Sequence, residues 1–498
     1  MGIIAKQSIR GTIVTYAGVA VGFLTTFFVL TRFLTAEEIG LARVLIDTAT
    51  LFIGLAQLGT STSIIRFYPY FKEETEKGKT DNGFFFWTIV IPLVGFAIFS
   101  LLYYLLKDWV SDYFGEKSGL FVDYYYLVLP MAFFMLYQTV FETNANVRMR
   151  IVVPRAVREL LSRIGLLVVY LLYAFRVLSM DGFVWGLCGV YAFAAICNMI
   201  YLVSIGDISL KPNIAFLREH KQVVRSYLLY TFFLVFSAFA TVFAPYMSSY
   251  IISAKEGLSS TGIYAIATYI SVMISIPYRS LTAIASPELA SAIKENNREH
   301  ISCLIKQVSN NLLLVGMFIM LLIWLNIDLI FHILPNGEIY SVARRTVIIL
   351  CVSQLLIATF NITLNTLNYS RYYIFSLIFA LILTFVSMWL NNLLIPDYGM
   401  DGAAMATLVS YTLYFSLTIA TIGLLMHTTP LSKNMLKTLL IGVVVIICNH
   451  FLCQMMSGMN VWLSAILRSV ILLCPALYVA YKWGISIDIN EQIKKYIR

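Results

Sequence analysis

Residues 11–31 read GTIVTYAGVAVGFLTTFFVLT, a run of 21 without a single charge. About 20 apolar residues cross a bilayer as a helix, whereas a signal-peptide core has only about 7–15. No small-residue cleavage site follows the run, so the sequence predicts a retained first span. The rest of the chain repeats the theme. Apolar residues make up 60% of the 498, and Asp, Glu, Lys and Arg only 12%. A soluble domain carries about 25% charged residues, so this chain cannot coat a set of globular domains. It reads as an all-α polytopic membrane protein.

Apolar runs bounded by charge or turn residues give fourteen candidate transmembrane helices. They lie near 11–33, 44–67, 83–106, 120–145, 156–176, 182–204, 226–252, 260–285, 308–334, 342–367, 372–395, 401–426, 435–456 and 460–483. Lys and Arg favour cytoplasmic loops. With a cytoplasmic N-terminus, 24 of the 35 basic residues fall in inside segments, 8 in outside segments and 3 (Arg163, Arg279, Arg468) within spans. That threefold bias supports the register and predicts that both termini are cytoplasmic. It also explains the net charge of +9 without nucleic acid. The longest outside connection is Lys107–Gly119, and the inside stretches near 205–225 and 286–307 read as short amphipathic helices. Nothing between spans is long enough to be a domain.

Three anchors recur at nearly constant offset. Met180-Asp181-Gly182 returns as Met400-Asp401-Gly402, 220 residues later. Asn146-Val147-Arg148 returns as Asn368-Tyr369-Ser370-Arg371, and Gly40-Leu41 as Gly262-Ile263, each 222 later. Their order and their equal places in the helix count point to a duplication. Six is even, so two copies of six spans share one orientation, a parallel repeat about the membrane normal. The expected organisation is an N-lobe over 1–205, a cytoplasmic linker over 206–225, a C-lobe over 226–428, and two appended helices with a tail over 429–498. Two parallel six-helix lobes enclosing a central cleft suit alternating-access transport.

Catalytic and energy-converting motifs are missing. Gly78-Lys79-Thr80 resembles the end of a phosphate-binding loop, but its first glycine would fall on Glu73, so no cradle forms. Seven cysteines include no C-x-x-C pair and five histidines lack metal spacing, so no metal, disulfide framework or cofactor is expected. No nucleotide partner is indicated either. The remaining signal is charge inside spans, which costs about 2.5–3.5 kcal/mol per group on insertion scales. Arg279 follows Ile276-Pro277 within the eighth span, Arg66 closes Ser61-Thr62-Ser63-Ile64-Ile65 in the second, and Arg10 stands at the mouth of the first. Spans 2 and 8 are repeat equivalents, so Arg66 and Arg279 are expected to approach each other across the cleft. Arginine keeps its charge and forks onto phosphate oxygens, so these three suit an anionic, phosphorylated substrate. Glu142, Glu159 and Arg163 read as structural or coupling charges, with Glu159 and Arg163 on one helix face. Asp47, Asp328 and Arg468 lie near ends or in the appended helices and receive no role.

The chain resembles the oligosaccharide flippases of the Wzx type, in the larger MATE-like MOP superfamily that includes MATE exporters and lipid II flippases. The resemblance is carried by the fourteen-span layout and by Ala36-Glu37-Glu38-Ile39-Gly40 after the first span. Ser286-Pro287-Glu288-Leu289 and Tyr398-Gly399-Met400-Asp401-Gly402-Ala403-Ala404 add to it. It implies a MATE-like fold in the bacterial inner membrane. It also implies movement of undecaprenyl-diphosphate-linked sugars to the outer leaflet for O-antigen, capsule or exopolysaccharide. Partners would then be the lipid-linked oligosaccharide, membrane lipids and polysaccharide polymerase or assembly proteins, with no nucleic acid. A cation-coupled multidrug exporter of the same superfamily would call for an acidic lumen instead. A membrane-bound polymerase or ligase would need an extracytoplasmic catalytic loop longer than any here.

Overall fold

The computed structural model describes residues 3–71, 73–75, 78–80, 83–115, 117–148, 150–206, 208, 210–214, 221–222, 225, 227, 243–456 and 460–486. The chain divides into two compact units, Met1–Gly262 and Ile263–Arg498. Among the described residues, ten helices are long and apolar enough to cross a membrane. The chain is a multi-pass membrane protein.

In the first unit, α1 (Ile3–Leu24) runs into a π-helical stretch, Thr25–Leu30. α2 (Ala36–Ala56) starts on a capping box. There the Thr35 N–H donates to Glu38 Oε2 at 2.7 Å and the Glu38 N–H to Thr35 Oγ1 at 3.2 Å, which satisfies two of the helix's orphan donors. The single span expected over 44–67 is in fact two helices, α2 and α3 (Thr60–Phe71). Gln57, Leu58 and Gly59 part them, with φ of 47° at Leu58 and 69° at Gly59. A hairpin follows, β1 (Glu73–Thr75) antiparallel to β2 (Gly78–Thr80), so Gly78-Lys79-Thr80 is a strand and not a loop before a helix.

Next come α4 (Phe84–Leu105), the short α5 (Lys107–Phe114) in the connection expected to lie outside, and α6 (Val128–Val147). The expected fifth span is reached through Val152–Ala156 and a second π stretch, Val157–Leu161, before α7 (Ser162–Ala174). α8 (Met180–Ile205) and α9 (Met247–Glu256) complete the set, and α10 (Leu258–Val272) begins in the first unit and runs on into the second. Most of the expected seventh span, residues 228–242, lies outside the described residues.

The second unit holds α11 (Ile276–Lys294), joined to α10 by a 3-10 turn at Met273–Ser275, and α12 (Arg298–Leu325). The stretch near 286–307 is therefore not a separate surface helix. It is the end of α11 and the start of α12, turned at Asn296 with φ of 54°. After α13 (Ile327–Ile333) come α14 (Arg344–Tyr369), α15 (Tyr373–Met426), α16 (Lys433–Met455) and α17 (Val461–Lys482). Within α15 the expected eleventh and twelfth spans are two helices parted at Gly399, whose φ of 55° and ψ of −132° are not helical.

Lipid tails are as apolar as leucine, so burial alone does not hold these helices together; close approach and interhelical polar bonds must contribute. α7 and α8 interlock reciprocally. A Cβ on Gly165 would stand 2.8 Å from Val190 Cγ1, and one on Gly186 2.9 Å from Val169 Cγ1. α4 leans on the α2–α3 break through Gly95, whose added Cβ would meet Ala56 O at 2.1 Å. Tyr103 and Tyr125 stack at 4.0 Å, and each hydroxyl donates to the other residue's carbonyl, at 3.2 and 2.7 Å.

Candidate functional site

The break at Gln57–Gly59 sets up the first site element. Broken membrane helices leave backbone groups unpaired at membrane depth, which is how many transporters build substrate sites. The break closes locally, with the Thr60 N–H donating to Gln57 O at 2.8 Å and Ser61 Oγ to Gln57 Oε1 at 3.0 Å. Thr60 Oγ1 is buried and has no hydrogen-bond partner among the described residues. From there α3 divides its faces. Ile64, Phe67, Tyr68 and Phe71 are buried against Phe84 and Tyr227, while Thr62, Ile65 and Arg66 are exposed. The Arg66 guanidinium lies 5.5 Å from the Phe67 ring centre. A cation is thus presented from the open face of a helix whose other face is clamped by aromatics.

A second element is a chain of charges within the first unit. Glu142 Oε1 pairs with Arg158 Nη1 at 2.9 Å, Arg158 Nη2 with Glu159 Oε1 at 3.2 Å, and Glu159 Oε2 with Arg163 Nη2 at 3.0 Å. The Glu142 side chain is only 6% exposed, and its second oxygen has no donor among the described residues. The π stretch carries Arg158 and Glu159; such insertions gather at functional positions because they re-aim side chains. α1 lies directly against it. A Cβ on Gly18 would stand 2.2 Å from Glu159 O, and one on Gly22 3.2 Å from Arg163 Nη1. Gly18 and Gly22 form a G-x-x-x-G pair, the spacing that lets helix backbones approach closely in lipid.

The two repeat anchors that contain aspartate are tied alike within each unit. Tyr124 donates its hydroxyl to Asp181 Oδ1 at 2.6 Å, and Thr346 its hydroxyl to Asp401 Oδ1 at 2.6 Å. Donor and donor are 222 residues apart, acceptor and acceptor 220. A third anchor meets its own counterpart. A Cβ on Gly40 would stand 1.9 Å from Leu258 O, and one on Gly262 1.9 Å from Ala36 O. The start of α2 and the first turn of α10 therefore touch backbone to backbone, each carbonyl over the other's glycine.

Of the residues singled out from sequence, Arg10 lies on α1 and Arg279 on α11, four residues after the 3-10 turn; their side chains lie outside the described residues. Glu142, Glu159 and Arg163 are drawn into one cluster, and the residue that joins them is Arg158, which the sequence did not single out. Its pairing with Glu142 crosses 16 positions, which no helical spacing encodes. Among the described residues no group of three His, Cys, Asp or Glu is placed to hold a metal ion.

Comparison with known proteins bears on the fold and the family. A family described as polysaccharide biosynthesis protein matches residues 5–287. Among solved structures, the lipid II flippase MurJ in an inward closed conformation superposes with a TM-score of 0.74 at 13% identity, covering 95% of this chain and 99% of that one. An inward-facing multidrug resistance MATE transporter of the MOP superfamily gives 0.62 at 14% identity, covering 86% and 100%. A MOP superfamily transporter from Pyrococcus furiosus, described as having a binding pocket of reverse polarity, gives 0.59 at 12%, covering 86% and 96%. No curated protein matches the chain in sequence. At these identities the superpositions establish a MurJ- and MATE-like fold and nothing finer.

Proposed function

The chain belongs to the polysaccharide biosynthesis protein family, and from that premise we propose that it is a flippase for oligosaccharides linked to undecaprenyl diphosphate. It carries them by alternating access from the cytoplasmic to the outer leaflet of the bacterial inner membrane, with both termini in the cytoplasm. The repeated halves, 1–205 and 226–428, form its two lobes, and 429–498 its appended helices. It acts as a transporter and not as an enzyme, upstream of the proteins that polymerise or assemble the surface polysaccharide.

The observation that carries the reading is the cation Arg66, held on the open face of a helix that starts at a break following a span-length helix. Arg10 and Arg279 complete the set of arginines to which we assign the diphosphate. Guanidinium forks match phosphate oxygens in geometry and charge. The energetics need no nucleotide. A diphosphate with about two negative charges moves out along an inside-negative potential worth about 2.3 kcal/mol per charge per 100 mV, or about 4–5 kcal/mol in all. A cation exporter of the same fold would want unpaired acids. Here the acidic groups of the charge chain, Glu142 and Glu159, each face an arginine.

Replacing Arg66 or Arg279 by alanine removes one charge-assisted contact of about 1.5–3 kcal/mol. Export of surface glycan is expected to fall by about tenfold or more in each variant while membrane levels of the protein hold. Arg66→Lys, which keeps the charge but loses the fork, should fall in between. Normal export in both alanine variants refutes the assignment of these arginines.

A further inference from the structure

Arg468 lies on α17, seven residues after its start at Val461, hence about 10 Å into the helix at 1.5 Å per residue. The residue is only 5% exposed. Among the described residues its guanidinium makes two hydrogen bonds: Nε donates to Ser464 O at 3.3 Å and Nη1 to Cys453 Sγ at 3.6 Å. No carboxylate stands within ion-pair distance of it among those residues. A guanidinium has five N–H donors and never gives up its charge, so most of its capacity is unspent in a place where an unpaired charge is costly. One turn before Cys453 on α16, Asn449 Oδ1 is also buried without a partner. Ser469 adds a hydroxyl beside it in sequence, tied to Asn326 of the α12 end at 2.9 Å. Arg468 is thus a buried cation held between α16 and α17, and among the described residues no carboxylate serves as its counter-ion.

We infer that Arg468 binds the phosphate group of a membrane lipid. The chemistry selects the anion, because a planar guanidinium fork is shaped for two phosphate oxygens. The surroundings select a lipid over a soluble ion. The outward faces of α16 and α17 expose Ile447, Phe451, Met455, Trp462, Ile466 and Val470, an apolar surface suited to acyl or prenyl chains. The depth fits too: a head group at the Val461 end of α17 has only about two turns to descend. Two lipids share this chemistry, an ordinary phospholipid and undecaprenyl diphosphate. The site does not depend on the transport reading, since a phospholipid would satisfy it in any membrane protein.

The test uses the full-length chain, stripped of lipid in detergent, with thermal unfolding followed as lipid is added. Probes are phosphatidylglycerol, undecaprenyl diphosphate and, as a phosphate-free control, diacylglycerol. The wild type is expected to gain several degrees in Tm with a phosphate-bearing lipid and none with diacylglycerol. Arg468→Met, similar in length but uncharged, is expected to unfold at a higher temperature than the wild type without lipid and to bind the phosphate lipid at least tenfold more weakly. A response to undecaprenyl diphosphate alone assigns the site to the transported lipid, and a response to both assigns it to lipid phosphate in general. Equal titration curves for wild type and Arg468→Met, or an equal response to diacylglycerol, overturn the inference. Arg468→Lys keeps the charge and guards against misfolding of the methionine variant. It should bind about tenfold more weakly than wild type, and unchanged binding by it overturns the inference as well.

Discussion

Gly40→Ala and Gly262→Ala are each expected to destabilise the protein by about 3 kcal/mol, the upper range for overpacking, and the double variant by much less than their sum. The reason is geometric. Each new Cβ would stand 1.9 Å from a backbone carbonyl of the opposing helix, and a carbonyl within a helix cannot rotate away as a side-chain tip can. The start of α2 and the first turn of α10 must therefore separate. Once one Cβ has forced that separation, most of the room for the second exists already, because both glycines belong to the same contact. A double-mutant cycle measured by denaturant unfolding in detergent should give a coupling of at least about 1 kcal/mol. Additive losses would mean that the helices yield independently and that the contact is not a shared one.

The second large effect concerns the charge chain. Glu159→Ala leaves Arg163 packed against Gly22 with no carboxylate, while Arg158 keeps Glu142 at 2.9 Å. Breaking a buried ion pair from one side costs about 3–5 kcal/mol. Because the Arg163 side chain is 30% exposed, about 2–3 kcal/mol is expected here. Removing both charges is a different experiment. Glu159→Leu with Arg163→Met leaves no stranded cation, and such replacements are often neutral, so stability should return to within about 1 kcal/mol of wild type. If the double variant is as unstable as Glu159→Ala, the pair contributes through something other than mutual neutralisation.

These two contacts also show what the sequence could and could not reveal. Long uncharged runs are the strongest signal a chain can carry, because a bilayer leaves the backbone only a helix or a closed barrel, and barrel strands alternate in polarity. The capping box at Thr35–Glu38 and the repeated Gly40 and Gly262 are local patterns, readable without coordinates. Their meeting was not readable, since constant offset says that two segments are alike and not that they touch. The break at Gln57–Gly59 was missed because apolar residues lie on both sides of it and Leu58, a residue that rarely takes positive φ, gives no warning; Gly59 was the one available hint. The π stretch at Val157–Leu161 leaves no trace in hydropathy at all. Arg158 was not singled out for a related reason. Counting basic residues by loop orients a membrane protein well, but it cannot tell a loop arginine from one that turns back to a buried glutamate.

Arg468 teaches the converse. As a lone charge in an appended helix it had no sequence partner and received no role. Burial to 5% with, among the described residues, only a carbonyl and a thiol as partners is what turns it into a question about ligands. Buried charge is informative through what fails to neutralise it.

The central claim is tested most directly by inactivating the protein in its own membrane and analysing the lipids by leaflet. The account predicts that an undecaprenyl-diphosphate-linked oligosaccharide accumulates on the cytoplasmic leaflet while surface glycan disappears. An unchanged lipid pool together with new sensitivity to drugs would contradict it, and would assign the fold to export of small molecules instead.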